Sequence, residues 1–316
     1  MLDVITIGDG MITFNPSTTG PLRFVHSFER KIGGAELNFA IGCARLGLKT
    51  GWISCLGNDE FGRYILNYMR GEGIDTSEVR LVDGYPTSLN FKEIMGDGSG
   101  RTFYYRKDSP TLTMLPEELN EDYFKKAKLL HITGVFSAIA PKNVDIIHKA
   151  LEIAKKYGLL ISFDPNIRLK LWSEEQARQT LISFLPYVDI VLTGEEEAQI
   201  LFGVTTPEEM IDSFKAFGAE YIVIKRGEKG SIGAYQGEKI VAEPYQPRKV
   251  VDTVGAGDGF DAGFIYGILN HWDLKKSLSF ANAVGAMVVS VKGDNEGLPY
   301  YDDVLVFLGE KKSIER

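Results

Sequence analysis

Twelve consecutive residues, Asp252-Thr253-Val254-Gly255-Ala256-Gly257-Asp258-Gly259-Phe260-Asp261-Ala262-Gly263, combine the types needed to bind an anion and to move a proton beside it. Gly255, Gly257 and Gly259 allow a tight turn, and the apolar Phe260, Phe264, Ile265 and Leu269 that follow have helical spacing. The first backbone N–H groups of a helix have no partners within it and lie at the positive end of its dipole, so an anion settles there. Asp258 would repel a phosphate at that place unless it had its own task, such as accepting the proton of a hydroxyl that attacks the phosphate. The segment therefore points to phosphoryl transfer. Residues 248–254 favour β structure and predict a strand leading into the turn.

The elements that must hold this turn alternate along the chain. Short β-rich runs at residues 4–8, 50–55, 128–132, 159–163, 190–192 and 221–225 are separated by amphipathic helical patterns. One such helix, at 142–157, repeats Ile147, Leu151 and Ala154 at i, i+4 and i+7. This alternation predicts a parallel sheet with helices on both faces and ligands at the carboxyl ends of its strands. Segments at about 11–32 and 85–107 break the pattern, the second with a hairpin-type loop, Gly96-Asp97-Gly98-Ser99-Gly100. They are expected to form a small β-sheet lid over the ligand site, inserted in a single α/β domain spanning residues 1–316.

Two further motifs stand at helix starts. In Lys31-Ile32-Gly33-Gly34-Ala35-Glu36-Leu37-Asn38, the glycine pair permits close backbone approach and Asn38 offers both a donor and an acceptor. Leu56-Gly57-Asn58-Asp59-Glu60-Phe61-Gly62 reads first as a helix cap through Asn58 or Asp59.

Composition narrows the classes. The 316 residues, 44% hydrophobic and 25% charged with a net charge of −8 and no basic run, indicate a globular protein without a nucleic-acid footprint. No apolar run reaches the roughly 18 residues of a membrane span and no signal peptide is evident, so a cytoplasmic location without membrane partners is expected. Cys43 and Cys55 fit core packing, and the four histidines form no metal motif. The chain has no Gly-x-x-x-x-Gly-Lys-Ser/Thr, no protein-kinase signature and no dinucleotide fingerprint after the first strand, which excludes P-loop chemistry and argues against hydride transfer.

Together the Gly33–Asn38, Leu56–Gly62 and Asp252–Asp258 motifs, in this order and at these separations, resemble the ribokinase-like, or PfkB, carbohydrate kinases over nearly the whole chain. The resemblance implies a doubly wound, mostly parallel α/β sheet with a β lid, ATP as donor and Mg2+ as metal. It makes Asp258 the base and the amides of Gly255, Ala256 and Gly257 the anion hole. Lys225, Gly227 and Gly230 resemble the family's nucleotide loop, and Asn282 occupies a position that would face adenine. Thr193-Gly194-Glu195-Glu196 is similar to an Asn-x-x-Glu stretch, which implies that Glu196 holds magnesium through water. Some relatives bind a monovalent cation such as K+ beside the hole, where Asp252 could contribute.

The acceptor is read from the lid. Strand alternation puts Tyr104 and Arg106 on one face of Arg101-Thr102-Phe103-Tyr104-Tyr105-Arg106, and Arg168 follows the strand at 159–163. Two guanidinium groups and a phenol at one place suit a carboxylate and leave a neutral sugar unmatched. These stretches resemble the branch of the family that acts on 2-keto-3-deoxygluconate. That resemblance implies Tyr104, Arg106 and Arg168 at the carboxylate end, with Gly33, Gly34 and Asn38 near the hydroxyls, and Asp9 and Asn90 also in the sugar site. The expected reaction is ATP-dependent phosphorylation at C6, giving 2-keto-3-deoxy-6-phosphogluconate and ADP. A fructokinase or ribokinase on a neutral sugar is the alternative, a non-catalytic sugar sensor a more distant one. An exposed lid edge could also join two copies into a homo-oligomer.

Overall fold

The computed structural model of the chain describes residues 1–97 and 99–312, so Gly98 of the predicted hairpin loop lies outside the described residues. The strands are β1 (Leu2–Ile7), β2 (Met11–Pro16), β3 (Phe28–Gly33), β4 (Thr50–Gly57), β5 (Val79–Val82), β6 (Ser88–Ile94), β7 (Gly100–Tyr105), β8 (Ala127–Thr133), β9 (Leu160–Asp164), β10 (Ile190–Gly194), β11 (Tyr221–Lys225), β12 (Ser231–Tyr235) and β13 (Glu238–Ala242). The helices are α1 (Ala35–Arg45), α2 (Glu60–Gly71), α3 (Glu121–Phe124), α4 (Gly134–Ile139), α5 (Pro141–Lys156), α6 (Glu174–Phe184), α7 (Glu195–Phe202), α8 (Pro207–Lys215), α9 (Ala256–Leu269), α10 (Leu274–Val288) and α11 (Tyr301–Phe307).

Among the described residues the large sheet has the order β13-β12-β11-β10-β9-β8-β1-β4-β5. Its strands are parallel from β11 to β5 and turn antiparallel at β12 and β13. The chain winds from β1 to β4 on one side and to β8 on the other, so strand order reverses beside β1, where doubly wound sheets hold ligands. Side chains alternate between two cores. Ile5, Leu130, Val191, Ile222 and Ile224 pack against the α5 and α6 side, whereas Val4, Leu129, Ile190, Leu192 and Val223 pack against α1, α9 and α10. Burial on both faces is why these strands are apolar on both sides rather than strictly alternating.

Helix α9 carries Gly259, Gly263 and Gly267 at four-residue spacing, and a Cβ at each would press on Val288, Ala281 or Ser277 of α10. The stripe lets the two helices pack closely, which holds the N-terminus of α9 in place. No strand precedes it, contrary to the prediction for residues 248–254. There the N–H groups of Val251 and Asp252 both donate to the Val289 carbonyl, and Val250, Val251 and Val254 are exposed. A β-favouring composition without a neighbouring strand leaves the segment irregular.

The lid is a separate sheet of order β3-β2-β6-β7, built from the two segments that broke the alternation. Asp59 caps α2 by accepting from Gly62 N (2.8 Å) and also accepts from the N–H (2.8 Å) and hydroxyl (2.8 Å) of Thr87, just before β6. The capping motif therefore anchors the lid as well. No helix among the described residues is long and apolar enough to cross a membrane.

Candidate active site

Between the lid and the carboxyl ends of the central strands lies a cleft of about 850 Å³. That is within the usual range for a small-molecule site. The start of α1 lines it with Gly34 and Asn38, the lid with Asn90, Lys92, Thr102, Tyr104 and Arg106, and the ends of β9, β10 and β11 with Asp164, Arg168, Glu197 and Lys225. The turn 253–257, Asp258 and Asp294 complete the wall.

Gly255 caps α9 with φ +80°, a left-handed conformation, and a Cβ there would fall on the Asp294 carbonyl. The Ala256 N–H closes the turn on the Thr253 carbonyl at 3.3 Å. Asp258 follows in the first helical turn, buried, and its Oδ2 accepts from Asn38 Nδ2 at 2.8 Å. Asn38 reaches it because Gly34, at φ +144° with its Cα against the Asp9 carbonyl, starts α1 one turn earlier. Burial pushes the Asp258 carboxyl up to about 6, aided by Asp164 and opposed by Asn38, Arg168 and Lys225. The result is a carboxylate that ionises close to neutrality yet is still largely charged there, the condition of a general base.

Below the turn, Lys225 Nζ is shared between Asp164 Oδ2 (2.9 Å) and Asp261 Oδ1 (3.0 Å). Burial pushes Asp261 well above its ordinary value despite Lys225, whereas at Asp164 burial is outweighed by the Lys225 charge together with hydrogen bonds from Asp261 and Lys225, which leaves the carboxyl lowered. A Cβ on Gly257 would lie 3.7 Å from Lys225 Nζ, so this cation underlies the anion turn. Gly227 and Gly230 bracket the short turn after β11 and stand outside the cleft lining, as does Asn282. The Asn282 amide instead donates to the carbonyls of Ala242 (3.3 Å) and Glu243 (3.1 Å), which ties α10 to the β13 end.

Glu196, the expected magnesium residue, is exposed and outside the lining; Glu197 turns into the cleft. Helix α7 begins at Glu195 rather than at the position of Thr193, so the third residue of its first turn faces inward. Glu197 accepts from the N–H groups of Gly194 (2.9 Å) and Ile167 (2.9 Å). Asp252 sits beside the turn and accepts from Val254 N (3.1 Å) and Gly293 N (3.3 Å).

Tyr104, Arg106 and Arg168 do converge on the cleft, while Phe103 and Tyr105 face away, exposed. The two arginines are nevertheless unlike. Arg168 is exposed, whereas Arg106 is half-buried with its side chain largely covered, and its NH2 group donates to Asp9 Oδ2 at 2.9 Å. Asp9 also accepts from Ser88 (3.0 Å) and Ser109 (3.2 Å), so its oxygens are engaged by the protein. Arg106 Nε and Asn90 Oδ1, in two residues that line the cleft, are buried without hydrogen-bond partners among the described residues. Asn90 spends its amide N–H on Thr13 Oγ1 (3.0 Å), and Gly33 lies just behind the wall with its Cα against Asp294 Oδ2.

Several cleft or near-cleft residues were not singled out from the sequence, among them Asp164 at the end of β9. Asp261 stands one helical turn after Asp258, and Lys92 shares a strand face with Asn90, so period counting could have found both. Glu197 needed the true start of α7. Asp294 lies in an irregular stretch with no local signal. Among the described residues no group of three or more His, Cys, Asp or Glu could hold a metal ion by itself.

The profile of the pfkB family carbohydrate kinases matches residues 1–300. The chain is 36% identical to the 2-dehydro-3-deoxygluconokinase of Bacillus subtilis, over 100% of its own length and 98% of the relative's. It is 34% identical to the 5-dehydro-2-deoxygluconokinase of Clostridium tetani, covering 98% and 94%. A putative ribokinase II from E. coli, solved in complex with ATP and Mg2+, superposes with a TM-score of 0.91 at 29% identity, covering 98% and 100%. With its sequence matched from β1 through Asp294 and its fold shared, the chain belongs to the pfkB family of carbohydrate kinases.

Proposed function

We propose that this kinase transfers the γ-phosphoryl group of ATP to the C6 hydroxyl of 2-keto-3-deoxygluconate, giving 2-keto-3-deoxy-6-phosphogluconate and ADP, with the whole chain acting as one lidded domain. The observation that carries the reading is the Asn38–Asp258 pair (2.8 Å) at the start of α9, facing the same cleft as Arg106 and Arg168. The full-length relative named 2-dehydro-3-deoxygluconokinase supports the acceptor.

In this mechanism Asp258 Oδ takes the proton of the C6 hydroxyl as its oxygen attacks phosphorus in line. The N–H groups of Gly255 and Gly257, with the α9 dipole, stabilise the charge on the transferring group, while Ala256 closes the turn. Lys225 lies beneath the phosphates. The unpartnered Arg106 Nε and the exposed Arg168 meet the sugar acid, Tyr104 flanks Arg106 with its ring centroid 5.8 Å from the guanidinium, and Asn90 Oδ1 accepts a hydroxyl hydrogen. The nucleotide extends past Lys225 toward the Gly227–Gly230 turn and Asn282. Magnesium usually binds through one or two carboxylates, water and substrate phosphates, and the cleft carboxylates Asp164 and Glu197 fit such water-mediated contact in place of Glu196. When bound with ATP, the ion neutralises phosphate charge. The proposal also includes a monovalent cation at Asp252 and pairing of two copies through the lid, read by potassium dependence and by sedimentation.

ADP release measured across 2-keto-3-deoxygluconate, 5-keto-2-deoxygluconate, fructose, ribose and nucleosides tests the acceptor. The first should give the highest kcat/KM; a preference for fructose or ribose would move the chain to a neutral-sugar kinase. Asp258→Asn should lower kcat by about 10²-fold or more while ATP still binds, and unchanged turnover would remove Asp258 as base.

A further inference from the structure

The segment from Lys292 to Glu296 is fastened on two sides. Toward the lid, Lys92 Nζ meets Asp294 Oδ1 at 2.5 Å, with both side chains nearly buried. Lys31 of β3 donates to the Lys292 carbonyl (2.8 Å) and pairs with Glu296 (3.4 Å), and Asn295 Nδ2 donates to the Ile32 carbonyl (2.9 Å). Toward the anion turn, the Asp294 carbonyl lies against the Cα of Gly255, and Gly293 N donates to Asp252 Oδ2 (3.3 Å). The lid has no strand in common with the large sheet among the described residues, so these contacts form a direct mechanical path from the lid to the phosphoryl site.

We propose that Lys92 is a positioning residue: by holding Asp294 it transmits the seating of the lid to residues 252–257 and so sets the anion turn for transfer. Asp294 can hold the Gly255 backbone only while its own position is fixed. Within the lid strands, Lys92 is the cation whose ion pair grips Asp294 itself; Lys31 grips its neighbours. A lid that carries sugar on its inner face is thus coupled through Asp294 to the anion turn. The inference rests on phosphoryl transfer at Asp258 but not on which sugar is taken.

The test compares wild type, Lys92→Met and Lys92→Arg. With the sugar that wild type phosphorylates best, the Met variant should lose about tenfold or more in kcat with KM for ATP unchanged, and the Arg variant should recover most of the loss. Amide hydrogen exchange supplies a readout independent of the sugar. Residues 252–258 should exchange faster in the Met variant and at the wild-type rate in the Arg variant. A rise in sugar KM alone would make Lys92 a plain sugar contact and overturn the proposal, as would faster exchange confined to residues 88–106. If the Met variant does not fold, Lys92→Gln replaces it with the same expected pattern. A wild type inactive on every sugar would refute the function and leave the exchange result to decide the role of Lys92.

Discussion

Replacing Asn38 with leucine removes the hydrogen bond to Asp258 while keeping a side chain of similar size. Asp258 already ionises at about 6 because burial penalises its charge and Asn38 partly offsets that penalty. A hydrogen bond to a charged group is worth about 1.5–3 kcal/mol, equivalent to about one to two pKa units. The Asp258 carboxyl should therefore rise to about 7–8 in Asn38→Leu. A base works ionised, so its activity is present above its pKa and lost as pH falls through it. At pH 7 the ionised fraction should drop from about nine-tenths to between about one-tenth and one-half, and by pH 9 it should be nearly complete in both proteins. The assay is kcat/KM for the sugar from pH 5 to 9 at saturating ATP. Its acid limb should move upward by about one to two units, and any loss that persists at pH 9 reports the contacts of Asn38 with the sugar. An acid limb that stays at the wild-type position would refute the argument that this hydrogen bond keeps Asp258 ionised.

Arg106→Ala removes the partner of Asp9 as well as a cleft donor. Its kcat/KM for sugar acids should fall about 10²-fold, with a much smaller change for fructose, and an equal loss on both would favour a neutral acceptor. Gly255→Ala introduces a Cβ at φ +80° against the Asp294 carbonyl. It should lower stability by about 1–3 kcal/mol in a denaturant melt and abolish most turnover, and wild-type kcat would show that the turn tolerates displacement.

Much of this protein was legible along the chain because periodicity and local chemistry are properties of neighbouring residues. The six predicted core strands appear within a few residues of their limits, since burial on both faces makes each rich in apolar residues on both sides. The two segments without helical period became the lid. The turn from Gly255 to Asp258 was readable because its glycines, its carboxylate and the helix behind them are contiguous. Tertiary structure decided what each polar atom faces. It gave the Arg106 charge a buried partner in Asp9, turned Glu197 rather than Glu196 into the cleft, and placed Lys225 between Asp164 and Asp261. It also brought Lys92 to Asp294 across 202 positions of chain. Such pairings depend on which strand lies beside which and on the start of a helix to within one residue. A one-residue shift in a helix start turns a side chain by about 100°, enough to exchange cleft for solvent.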